Sequence, residues 1–305
     1  MKIVTFKEVF LSAAVAIVFS GLAVEGNPLV LESGLPLKKV KFSGEYRLRY
    51  ENQGNYDHLN KVTDDNDLVG SRARLNFDVV ATDAIDAFFQ VQDSRNWGGN
   101  PMTSANNTAS SLGSGFDLHQ GYVRGRSGAW TGILGRQTLS YGSQKLVSPL
   151  DWSNIGRAFD GMLVRGESDL LTADLFATKV GESPSGDEDD VAFHGLHTTW
   201  KAVDGYHFDV YAFWSRDARR TTGEIATKRA EETGFATYGI HHLKKGIDAG
   251  PGQVDYGVEF DYQAGQRGSD SLSAHAYHAR AGFTCRKTDW KPRLGYQYDV
   301  ASGDN

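Results

Sequence analysis

"VDYGVEFDYQ", Val254 to Gln263, alternates almost without a break. Val254, Tyr256, Val258, Phe260 and Tyr262 fall on one side of an extended chain, with Asp255, Gly257, Glu259, Asp261 and Gln263 on the other. Successive side chains of a strand point to opposite faces, so a period of two gives one apolar and one polar face. A helix would scatter the same residues round its circumference. The pattern recurs upstream. In "SRARLNFDVV", Ala73, Leu75, Phe77 and Val79 alternate with Arg72, Arg74, Asn76 and Asp78. In "FSGEYRLRYE", Phe42, Tyr46, Leu48 and Tyr50 oppose Glu45, Arg47, Arg49 and Glu51. "LLTADLFATK" and "YHFDVYAFW" follow it less cleanly.

Extended along the chain, this spacing predicts strands over 41–51, 69–81, 84–93, 116–126, 130–138, 159–166, 170–180, 192–201, 205–216, 234–242, 253–264, 272–284 and 290–300. No amphipathic helix competes with them. Most are about ten residues long, which a tilted strand needs to cross a bilayer, whereas globular strands average about five or six. The connections alternate between long polar loops (52–68, 94–115, 139–158, 181–191, 217–233) and tight turns at 82–83, 127–129, 167–169 and 202–204. The rhythm weakens at 243–252, where a short turn is due. Long loops on one side and short turns on the other describe an all-β, antiparallel, outer-membrane barrel. Trp130, Trp200 and Trp290 fall at strand ends, where aromatic girdles meet the membrane interface. Thirteen strands is an odd count, bacterial single-chain barrels have even ones, and the chain stops at the loop-like "ASGDN". An incomplete barrel lacking its C-terminal strands is therefore expected.

The ends and the composition agree with an exported membrane protein. Lys2 and Lys7 precede an apolar run that includes "LSAAVAIVF", and small residues follow, so residues 1–26 read as a Sec-type signal peptide. Residues 27–40 then form a periplasmic segment, and 41–305 the barrel. The single cysteine, Cys285, excludes an intramolecular disulfide framework. A mean hydropathy of −0.43 rules out a helical membrane bundle but suits a barrel with a polar lining. With 38 acidic against 32 basic residues and no basic stripe, the chain does not fit nucleic acid. No phosphate-binding Gly-Lys-Ser/Thr loop is present. The acidic runs Thr63–Leu68 and Ser185–Asp190 lack the spacing of a calcium loop, and His194, His197 and the pair His241–His242 lack a second ligand set. No metal or cofactor is expected.

If the apolar faces meet lipid, the opposite faces line a lumen. Parity places Arg47, Arg49, Arg72, Arg74, Arg124, Arg136 and Arg165 inside it or near its rims, as pore-lining candidates. Two readings of these arginines stay open. They form ladders with carboxylates that stiffen the wall, or they form a basic path that lowers the barrier to anions.

The densest cluster of functional groups is "SPLDWSNIGRAFDG", Ser148 to Gly161, in the third long loop. Asp151 and Asp160 suggest a glycosidase pair, which requires two carboxyls about 5–10 Å apart. Strand lengths and loop rhythm argue against that secreted-enzyme reading. The cluster reads instead as a gate or loop anchor, with a packed surface loop, an ordered excursion without a role in the pore, as the open alternative. Trp152 and Arg157 narrow the mouth, and Asp151 and Asp160 pair with Arg157 or with wall arginines such as Arg136.

That loop in its wider context, "GRQTLSYGSQKLVSPLDWSNIGRAFDG", resembles the alginate-export family of outer-membrane porins, as do "GEYRLRYE", "SRARLNFDV", "FFQVQDSRNWG" and "DLHQGYVR". Beyond Ser168 the resemblance rests on the strand pattern and on "GYQYDVASGDN". It implies a monomeric barrel of about eighteen strands with a basic pore that passes anionic polysaccharide by diffusion. It also implies that Arg47, Arg49, Arg72, Arg74, Arg136 and Arg165 carry the basic-lumen role. The expected protein is therefore no enzyme but a bacterial outer-membrane channel. Its expected partners are outer-membrane lipid, an acidic polysaccharide such as alginate or small anionic solutes, and periplasmic export partners. A less selective porin with structural arginines is the alternative.

Overall fold

The computed structural model describes residues 29–31, 37–53, 66–97, 115–181, 191–201, 205–217, 233–267 and 270–303. The expected signal peptide and the acidic run 185–190 lie outside the described residues. One antiparallel sheet contains every strand, each bonded to its neighbours in sequence. The order is β1 Leu29–Leu31, β2 Lys39–Gln53, β3 Asn66–Val80, β4 Ile85–Asn96, β5 Gly115–Ser127, β6 Trp130–Gln137 and β7 Phe159–Glu167. Then follow β8 Leu171–Gly181, β9 Val191–Trp200, β10 Tyr206–Asp217, β11 Thr233–Asp248, β12 Gly252–Arg267, β13 Asp270–Cys285 and β14 Arg293–Ala301. The thirteen strands expected from periodicity are β2 to β14. The short β1, within the segment expected to precede the barrel, pairs with the start of β2 through Leu29 and Phe42.

One connection differs from expectation. β11 runs on to Asp248, and the turn to β12 is short, as the rhythm requires there; the rhythm breaks one connection later, where only two residues separate β12, ending at Arg267, from β13, starting at Asp270. The end of β11 is hidden in the sequence by a register shift between Lys244 and Ile247, where Gly246 has φ +72. An extra residue inserted in a strand breaks the period of two that marks it.

The sheet is inside out relative to a soluble protein. Leu75, Phe89, Leu134, Met162, Leu175, Val210, Ile240, Val258 and Tyr277 are exposed on one face. Arg72, Arg74, Asp86, Gln92, Asp174, His197, Asp209, His241, Glu259 and Asp261 are buried on the other. Apolar residues outward and polar residues inward are what hydrocarbon surroundings demand of a barrel. Trp130, Trp200 and Trp290 are exposed at the short-turn ends, the place of an interfacial girdle.

The inner face is not polar throughout. Phe159, Leu163, Phe176, Phe193 and Phe213, from β7 to β10, turn inward and pack together. This explains why the alternation of β8 and β10 reads poorly: Phe176 of β8 and Tyr211 and Phe213 of β10 put aromatic rings on the inner face beside Asp174 and Asp209. Something must cover these rings.

Candidate functional site

The cover is the connection between β6 and β7, residues 138–158, which folds into the barrel as a strap touching both walls. Its first part, 139–147, lies on the aromatic floor. Leu139, Tyr141 and Val147 are buried against Phe159, Leu163, Phe176, Tyr211 and Phe213. Tyr141 stacks on His197 at 4.4 Å and on Phe176 at 5.5 Å. Its hydroxyl donates to Asp174 Oδ2 at 3.1 Å. Burial, then the Asp174 charge, pushes the Tyr141 phenol far above its usual range, so it remains a donor.

The tip of this part is fastened to β12 and β14. The Ser143 amide donates to Glu259 Oε1 at 3.1 Å and its hydroxyl to Glu259 Oε2, while Lys145 Nζ sits 3.4 Å from Asp299. Gly142 makes the approach possible. Its φ is +58, and a Cβ there would stand 2.2 Å from Glu259 Oε1. Any other residue would be both strained and in collision.

From Ser148 the chain crosses to the opposite wall, turning with a hydrogen bond from Ser153 N to Leu150 O at 2.8 Å. Here it docks by its backbone carbonyls. Arg47 donates to the carbonyls of Asp151 (2.5 Å) and Ser153 (2.7 Å), Arg49 donates to that of Trp152, and Arg72 reaches those of Asp151 and Ser153 at 3.2 Å. On β4, Ser94 holds the Asn154 carbonyl at 2.9 Å and Gln92 the Ile155 carbonyl at 2.7 Å. Asn154, itself buried, donates back to the carbonyls of Ser71 and Arg95. A carbonyl carries a partial negative charge, so guanidinium groups grip the turn through charge-assisted bonds. Gly156, at φ +81, leaves the space that Arg74 and His119 occupy.

The expected site residues fall into three groups. Arg47, Arg49, Arg72 and Arg74 converge on the strap. Arg72 also pairs with Glu45 (2.7 Å), and Arg74 with Asp151 (2.9 Å) and Gln92 (2.7 Å). Arg124 and Arg165 face the lumen in ladders: Arg124 and Arg126 with buried Asp86, and Arg165 with Asp174 through two bonds of 2.6 Å. Arg136 corrects the parity assignment. Its cross-strand partners are Gly121 and Asp160, and it shares its face with the exposed Leu134 and Met162. It therefore flanks the strap's root from the outer side, bound to Asp160 by two bonds of 2.8 Å.

The loop residues divide likewise. Asp151 anchors to Arg74, and Asp160 to Arg136 on the outer face, so the two carboxylates do not form a pair. Trp152 is 67% exposed with the Arg49 guanidinium 4.8 Å from its ring centre. Arg157 is exposed and makes no ion pair among the described residues; its backbone amide closes the turn onto Pro149 O at 2.7 Å. The sequence reading missed the second anchorage, Ser143 on Glu259. Its signal was the poor alternation of β8 and β10, which marks an inner face awaiting apolar cover.

A family model described as alginate export matches residues 38–305. Among solved structures, OccAB4 of Acinetobacter baumannii aligns over 87% of this chain and 70% of its own, with 12% identity and a TM-score of 0.57. A loop-deletion form of OmpT, an outer membrane protein of Vibrio cholerae, aligns over 87% and 94%, with 13% identity and a TM-score of 0.42. No curated protein sequence matches significantly.

Proposed function

The chain belongs to the alginate export family and is a bacterial outer-membrane channel rather than an enzyme, and from that premise we propose that it passes anionic solutes, acidic polysaccharide such as alginate among them. The observation that carries this reading is the arginine cluster under the strap. Among the described residues, Arg47, Arg49, Arg72 and Arg74 meet only Glu45, Glu51 and Asp151 as ionised partners, which leaves the cluster positive. The Arg47 Nε is buried with no acceptor among the described residues. Rings of charged side chains set pore selectivity, and a guanidinium fork suits carboxylates. Trp152 offers a flat apolar face beside the cluster, suited to a sugar ring.

A less selective porin is the second reading. It is favoured by the commitment of Arg72, Arg74, Arg124 and Arg165 to protein acceptors, which suits struts as well as a selectivity filter. Planar-bilayer recordings of the full-length protein under a salt gradient separate the two. With Arg47→Gln and Arg49→Gln together, the anion preference falls several-fold, and uronate oligomers, which block the parent channel more strongly than neutral oligosaccharides of equal length, lose that advantage. An unchanged reversal potential and equal block by both oligomers favour the general porin.

A further inference from the structure

The strap tip rests on a row of titratable groups that the basic cluster does not involve. Read across the strands, Asp209 of β10 faces His241 of β11, His241 faces Glu259 of β12, Glu259 faces His278 of β13, and His278 faces Asp299 of β14. Acid and imidazole alternate along this rung. Asp209 takes His241 Nδ1 at 2.8 Å, and Asp299 takes His278 Nδ1 at 2.5 Å. Beside the rung stands Tyr211. Its cross-strand partner is Gly239, and with no side chain there its ring reaches over β11 to β12. The phenol oxygen lies 2.8 Å from Glu259 Oε1 and 2.5 Å from Asp261 Oδ1.

A phenol has one hydrogen, and two ionised carboxylates are acceptors only. Both short contacts are satisfied only if one carboxyl brings a proton of its own. Glu259 already uses both oxygens as acceptors, for the amide and the hydroxyl of Ser143. Asp261, buried at 6% exposure, has no other donor among the described residues. We infer that Asp261 of the strapped channel is a proton-binding site, its carboxylic acid donating to Tyr211, which donates to Glu259, which holds the strap through Ser143. The proton is thus one fastener of the strap, and this goes beyond the reading of anion passage.

The sign follows from where the proton is held. With the strap in place Asp261 keeps a proton that a hydrated aspartate releases at about pH 3.9. A group whose proton affinity is raised by the closed state stabilises it fully at low pH and loses that effect as pH rises through the raised value. Alkaline pH therefore loosens the tip. Other groups face the clasp. His241 and Asp209 adjoin it on β11 and β10, and His197 of β9 stacks at 5.9 Å from Tyr211. His278 of β13 faces Glu259, and from the strap Lys145 reaches Asp299. In the strapped state the buried Nε2 atoms of His197 and His241 have no hydrogen-bond partner among the described residues, so the test separates these two groups from Asp261.

Two readouts on the full-length protein test the clasp. Infrared difference spectra between the parent and Asp261→Asn at about pH 5, where a hydrated aspartate is ionised, should show a carboxylic acid band present only in the parent. Amide exchange over 139–147, corrected for intrinsic rates, should speed up with pH by up to about tenfold per unit in the parent, the limit for one linked proton. In Asp261→Asn the side-chain amide replaces the acid as donor to Tyr211, and the dependence should vanish. A variant with His197→Gln and His241→Gln should keep the infrared band and the rise with pH. Absence of the band, a dependence that survives Asp261→Asn, or one that disappears in the histidine variant overturns the proposal. Neither readout depends on conduction, so failure of the anion-channel reading leaves this result separable.

Discussion

Residues 139–147 and residues 151–155 belong to one loop, yet they dock on opposite walls by different chemistry. The first segment hides Leu139, Tyr141 and Val147 in an aromatic floor and ties its tip to Glu259. The second hides almost no apolar surface and offers its backbone to Arg47, Arg49, Arg72, Gln92 and Ser94. Apolar burial is non-directional and adds with area, whereas charge-assisted bonds demand geometry. The floor fixes how firmly the loop stays in the barrel; the arginines fix where its turn sits. The difference assigns adhesion to one end and position to the other.

Three substitutions challenge this division, in falling order of effect. Leu139→Ala empties a site that is 2% exposed and should lower the free energy of opening the strap by about 2–5 kcal/mol. Hydrogen exchange should speed up over 139–147 far more than over 151–155. Equal acceleration in both would mean that the ends open as one unit, and the contrast would fail. Asn154→Ala removes the donors that meet the Ser71 and Arg95 carbonyls and should cost about 1–3 kcal/mol. Its exchange signature should be the reverse, confined to 151–155. Trp152→Ala should leave exchange at both ends within about 0.5 kcal/mol of the parent, as surface changes usually do. Only block by uronate oligomers should weaken, since the strap is held here by the Trp152 carbonyl and the exposed ring adds no more than its contact with the Arg49 guanidinium.

The strands were legible because hydrocarbon outside and a polar interior force a period of two on the sequence. Where that force was diluted, legibility fell. At Lys244–Ile247 a bulge hid the end of β11. At β8 and β10 the inner face carries Phe176, Tyr211 and Phe213 among its polar groups to receive the strap, and alternation blurred. Arg136 illustrates a different limit: the face of a residue follows from its partners, Gly121 and Asp160, and partners are set by register rather than by motif. The loop's residue types announced an anchor, and Asp151 is one. Its partner is Arg74 of β3, 77 residues away in the chain, and no local pattern encodes that meeting. The rung from Asp209 to Asp299 was invisible for the same reason, since each strand carries several titratable groups and only the register shows which of them align.

The strap also bears on how the molecule is made. Its bond from Arg47 to Asp151 closes 104 residues of chain, and its bond from Ser143 to Glu259 closes 116. Contacts so distant in sequence are slow to form, because the entropy of closure is spent before the contact rewards it. Neither wall can receive the strap until β2–β4 at one side and β8–β12 at the other stand in register. Docking is thus a late folding event that reads whether two separately paired halves of the sheet have met correctly. A barrel with a slipped strand would leave Leu139 or Asn154 without its seat, and the exposed loop would mark that molecule as unfinished to any protease at the surface.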